Sequence, residues 1–108
     1  MAAGLADLVS RYSQGALKRH AIARFEIFLV ATREPDVARV LEGHKAAFIE
    51  LGQALTFNAS PAKALAGTTA VIALVEGLLL SDVRAPDSPM PRAELEKSFL
   101  ALLTHFGA

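Results

Sequence analysis

The 108-residue chain predicts an all-α fold, a bundle of about five helices, and three observations carry that reading. Hydrophobic residues make up 53% of the chain, with alanine and leucine dominant, whereas aromatic residues contribute 6% and tryptophan is absent. No segment alternates apolar and polar positions over a β-branched or aromatic run, as a half-buried strand would. Apolar residues instead recur at steps of three and four between breaks marked by proline and glycine.

The first helix is predicted from Leu5 to about Gln14, with Leu5, Leu8, Val9 and Tyr12 at helical spacing and Gly15 as its stop. The second runs from Ala16 to about Arg33. Leu17, Ala21, Phe25, Phe28 and Thr32 form one stripe there, and Arg19, Glu26 and Arg33 share the opposite face. Pro35 breaks the helix and opens a third, reading to Phe57, in which Val37, Leu41, His44, Phe48, Leu51 and Leu55 make an inward stripe with one polar member. Asn58 and Ala59 close it. Ser60 is a good N-cap for a fourth helix, Pro61 to about Val83, with proline at the tolerated first position. This fourth helix is apolar nearly all round from Ala70 to Leu80, so it should be central and contacted on two sides. Its small residues Ala66, Ala70, Ala73 and Gly77 repeat at four, three and four, leaving a strip where another helix can approach closely. After the proline-rich RAPDSPMPRAE loop, Pro91 opens the last helix, in which Leu95, Phe99, Leu102 and Phe106 form one stripe and Leu100 and Leu103 a second.

The length suits one domain, residues 1–108, with a single core. Eleven basic and eleven acidic side chains cancel, which disfavours binding to a nucleic-acid backbone or an anionic membrane. No cysteine is present for a disulfide, a thiolate metal site or a thiol nucleophile. The first twenty residues lack a basic start followed by an apolar run and do not read as a secretion signal. Ala64 to Leu80 holds seventeen residues with one charge, Glu76, at the short end of a membrane span. The carboxylate, the missing aromatic belts and the amphipathic flanking helices favour a buried bundle helix. A cytoplasmic location follows as the expectation.

Catalysis finds no support. The sequence has no GxSxG elbow, Gly-rich phosphate loop or HExxH pair, and His20, His44 and His105 fall on three different helices. No catalytic residue, metal or cofactor is therefore assigned, and the chain is read as a non-enzyme. His44 reads either as a cavity-lining polar group or as a core histidine bonded locally. Glu76 either faces a pocket or pairs with a basic group such as Arg24. Thr32, Thr68 and Thr69 either meet a ligand or bond carbonyls of their own helices, and Phe25, Phe28 and Phe48 are either core or cavity wall.

From Ala23 to Pro35 the text ARFEIFLVATREP is followed by a helix, a capped apolar helix ending VEGLLLSDV, a proline-rich loop and a terminal amphipathic helix. This order resembles the C-terminal domain of TetR-family transcriptional regulators over roughly Leu17 to Phe106. The residues that carry the resemblance are Phe25-Glu26, Arg33, Pro35 and Glu76 to Leu79. It implies an effector-sensing and dimerisation domain that binds a small, often hydrophobic ligand and pairs through its last two helices. The family's helix-turn-helix head has no counterpart in the fifteen or so residues ahead of the second helix, so no DNA binding by this chain alone is expected.

With the inward stripes, the resemblance predicts a cavity between the second, third and fourth helices. Its expected walls are Phe25, Phe28, Leu29, Phe48, Leu51 and Ile72, with Thr32, His44 and Thr69 as polar contacts. The two apolar faces of the final helices predict a homodimeric four-helix bundle. Ala70, Ala73 or Gly77 should lie near a close crossing flanked by Val71, Leu74 and Leu78, while Leu95, Phe99, Leu102 and Phe106 divide between subunit core and interface. A ligand-free helical homo-oligomer or partner-binding module is the alternative.

Overall fold

The structure, a computed structural model, describes residues 1–55 and 60–107. Five helices follow in order: α1 (Ala2–Tyr12), α2 (Gly15–Ala31), α3 (Pro35–Leu55), α4 (Pro61–Arg84) and α5 (Arg92–His105). No strand occurs among the described residues, in agreement with the all-α reading. The expected end of the third helix at Phe57 and its closure by Asn58 and Ala59 lie outside those residues.

Local chemistry explains each break. The Leu5 N–H donates to the Met1 carbonyl at 3.0 Å, and alanines at 2 and 3 favour helix, so α1 begins ahead of the expected Leu5. It also ends earlier than expected: Gln14 is extended (φ −134°, ψ 149°), and Gly15 takes φ +56°, which an L side chain resists. α2 closes at Ala31, where the Arg33 and Glu34 N–H groups both turn back to the Val30 carbonyl at 2.9 and 3.0 Å. Pro35, which has no N–H to offer, then starts α3. The Ser60 cap is formed as predicted, its Oγ accepting from the Lys63 N–H at 3.3 Å with Pro61 at the first helical position.

α4 packs against all four other helices, the central place its apolar sequence demands. It is also the one helix among the described residues long and apolar enough to cross a membrane. The most extensive pairing, however, joins α1 to α5. Ala6 and Val9 of α1, Leu79 of α4, and Leu95 and Phe99 of α5 form the main core, and Ala64 and Leu103 form a smaller one beside it. Among the described residues α3 touches only α2 and α4.

The helices spread into a slab with extents of 37 × 35 × 17 Å, so about two helix diameters span its thickness. A compact monomer of 11.4 kDa exposes about 5,800 Å². This chain exposes 7045 Å². The excess is apolar in part: Leu29, Val40, Phe48, Leu51 and Leu100 are each more than half exposed.

Glycine sets how α3 crosses α4. A Cβ on Gly52 would fall 2.5 Å from Cγ2 of the buried Thr68, whereas one on Gly43 would meet nothing. Gly43→Ala should therefore stabilise the chain by up to about 1 kcal/mol through helix propensity. Gly52→Ala gains the same propensity but must push a β-branched, buried side chain, which costs about 1–3 kcal/mol, so its net effect is destabilising. Urea melts of both variants check this; a stabilised Gly52→Ala would refute the close crossing.

An ion network ties α1 to α5. The Arg92 guanidinium donates to Asp7 at 2.6 Å, to Glu96 at 2.9 Å and to the Ala3 carbonyl at 3.5 Å. The hydrogen bond from Arg92 holds the Asp7 carboxyl below its ordinary value, helped by the charges of Arg92 and Arg11 and opposed by burial. A carboxyl lowered in the folded state contributes stability that is present above its unfolded value of 3.8 and lost as pH falls through the lowered one. The stability gap between the chain and its Asp7→Asn variant should hence be present at neutral pH and shrink below about pH 4. Denaturant melts at several pH values measure it, and a gap that does not change with pH would show that the ion pair contributes nothing.

Candidate functional site

The residues predicted to wall an internal cavity do not enclose one. Phe25, Phe28 and Ile72 are half-buried, and the Phe25 and Phe28 rings meet edge to face with centroids 6.1 Å apart. Leu29, Phe48 and Leu51 are 66%, 56% and 54% exposed, and Thr32, His44 and Thr69 are exposed as well. The Thr32 hydroxyl donates to the Leu29 carbonyl of its own helix at 2.6 Å. The result is an open apolar face on α2, α3 and α4 rather than a chamber.

Helix rotation is the physical reason. On α3 the described covered positions are Val37, Ala38, Leu41, Ile49, Gly52 and Gln53: the stripe is covered at Val37 and Leu41, but further along Ile49, Gly52 and Gln53 are covered instead of His44, Phe48 and Leu51. A straight helix drifts about 20° per heptad from a four-three repeat, and the close approach at Gly52 draws the Ile49–Gly52 flank inward. The stripe is real, but its lower half looks out of the slab.

Arg24 and Glu76 pair at 3.3 Å, the structural role weighed for Glu76, and the Arg24 guanidinium also lies 5.3 Å from the centroid of the Phe28 ring. The pair is partly exposed and worth about 0–1 kcal/mol.

On the α4 and α5 side, Leu95 and Phe99 are buried in the core of the chain itself, because α1 docks on their stripe. Leu102 and Phe106 are half-buried. Val71, Leu74 and Leu78 are half-buried on the inner flanks of α4, as is Ala70 at the edge of its outer face. Ala66, Thr69, Ala73, Gly77 and Leu80 line that outer face, all exposed. A Cβ on Gly77 would meet nothing, so no contact within the chain requires a glycine there.

Sequence reasoning missed a second polar locus. Asp82 is 8% exposed near the C-terminal end of α4, where the Ser13 hydroxyl hydrogen-bonds to its Oδ2. Its place could have been found: Asp82 continues the inward line Ala64, Thr68, Val71, Val75, Leu79 at steps of four, three, four, four and three. Among the described residues the buried Thr68 hydroxyl has no hydrogen-bond partner, so it does not bond a carbonyl of its own helix.

Five helices in this order, packed around a central apolar helix and leaving apolar faces uncovered, define an all-α bundle. Over residues 1–105 the chain matches the family described as Tetracyclin repressor-like, C-terminal domain, and it belongs to that family. No helix-turn-helix head is evident alongside it among the described residues. Comparison with curated proteins and with solved structures finds no match.

Proposed function

We propose that this chain is the effector-sensing and dimerisation domain of a TetR-like transcriptional regulator, working in the cytoplasm as a homodimer and acting by binding rather than catalysis. The carrying observation is the family match over residues 1–105, joined to a surface larger than a compact monomer of this mass leaves exposed. The outer face of α4, with Ala66, Ala73 and Gly77, suits a close helix crossing about a two-fold axis, and Leu100 of α5 is a further exposed apolar side chain.

The exposed Leu29, Phe48 and Leu51 and the half-buried Phe28 and Ile72 offer apolar surface to a small hydrophobic effector, with His44, Thr32 and Thr69 as its polar contacts in this reading. In an intact regulator, a ligand that binds one dimer arrangement better than another would shift the spacing of the attached heads. In this reading the chain alone binds no operator DNA. The absence of a closed chamber around these residues favours a second reading, a ligand-free pairing module, whose apolar faces serve only other subunits.

Sedimentation at micromolar concentration tests the pairing, and a folded monomer would refute it. A thermal-shift screen with hydrophobic compounds separates the two readings. Stabilisation that is lost in Phe48→Ala supports the sensor; a response that ignores this substitution supports the pairing module.

A further inference from the structure

A cleft of about 450 Å³ lies where the α1–α2 junction meets the proline-rich loop between α4 and α5, away from the open face of α2, α3 and α4. Asp82 and Ser13 stand in its wall, with Met90 and Pro89 of the loop beside them and Arg92 at one side. Asp82 is more than nine-tenths buried, and among the described residues no donor reaches its Oδ1.

The donor on Oδ2 is itself oversubscribed. The Ser13 hydroxyl lies 2.8 Å from the Val9 carbonyl as well as against Asp82, and it has one hydrogen to give to two acceptors. A carboxylate held this way keeps acceptor capacity on Oδ1 for a donor that enters the cleft.

Four helix ends meet around the cleft, the C-termini of α1 and α4 and the N-termini of α2 and α5, so their dipoles oppose one another and the negative charge in its wall is that of Asp82. Arg92, the one cation in the wall, is engaged by both Asp7 and Glu96, while Arg11 and Arg84 are exposed and do not line the cleft.

We propose that this cleft binds an organic ammonium ion, with Asp82 accepting its N–H groups and the Met90 and proline side chains covering an apolar body. An ammonium supplies charge-assisted donors to Oδ1 that the shared Ser13 hydroxyl cannot, and its charge is opposite to that of Asp82. The site is separate from the proposed effector face, so either assignment can fail without the other.

Two-dimensional ¹H–¹⁵N spectra of the full chain, titrated with phenethylammonium chloride and in parallel with neutral 2-phenylethanol, test it. Saturable shifts at the Ser13, Asp82 and Met90 amides with the ammonium, and none with the alcohol, are expected. Asp82→Asn should weaken binding about tenfold or more. Because that change touches a buried group, Met90→Lys provides a second arm: Met90 is 41% exposed, so the variant should fold normally while its own ammonium occupies the cleft and blocks the probe. Equal responses to ammonium and alcohol, shifts confined to the Phe48 face, or unimpaired binding by folded Met90→Lys would overturn the proposal.

Discussion

Replacing Phe99 by alanine is expected to cost the chain about 3–5 kcal/mol of folding stability, the largest effect of any single truncation. Phe99 is fully buried at the meeting of three helices, among Ala6 and Val9 of α1, Leu79 of α4 and Leu95 of its own α5. Removing the ring forfeits its transfer free energy and leaves a hole that Ala6 and Val9 are too small to fill. A domain of this size has about 5–15 kcal/mol in hand, so the loss is a large share of the total. Urea denaturation should show a much lower midpoint at an unchanged slope. Leu100, next in sequence but 57% exposed, is the control: at concentrations where the chain is monomeric its truncation should cost less than about 1 kcal/mol. Equal losses at the two positions would mean that α1 does not cover α5 as described.

Ala73→Glu separates the proposed dimer from an isolated slab. In the single chain Ala73 is exposed on the outer face of α4, and glutamate is a good helix former, so the folding of a monomer should barely change. At a two-fold helix crossing the same substitution places a carboxylate from each subunit in an apolar seam, one facing the other, with no cation to receive them. The uncompensated charge should weaken association by about 3–5 kcal/mol, which is a hundredfold or more in Kd. Sedimentation equilibrium reads this directly. Wild-type dimers accompanied by folded Ala73→Glu monomers are the expected pair of results, and an Ala73→Glu variant that pairs as tightly as wild type would move the interface off this face.

Both substitutions sit on apolar stripes visible in the sequence, yet they are expected to act through different events, folding and association. For α5 the sequence shows two stripes and no means of ranking them. Leu95 and Phe99 became core because α1 lies on them, and α1 was predicted from Leu5, without the first turn from Ala2 that lengthens this contact. For α3 the sequence points to the His44, Phe48 and Leu51 line, but the structure covers its neighbours instead. The predicted effector residues were thus found on adjacent helices without being gathered into a chamber.

Properties set within a few residues were readable from the sequence alone. The all-α class, the Ser60–Pro61 start, the Pro35 corner, the Gly15 break and the central place of α4 all depend on backbone preferences or on the composition of one helix. Tertiary structure alone decided which side of each helix is covered, that Gly52 admits Thr68, that Arg92 reaches across to Asp7, and that Asp82 is buried against Ser13. These depend on helix rotation and on partners up to 85 residues apart in the chain. Periodicity reports that a face is apolar, but only the neighbouring helices determine whether that face is buried.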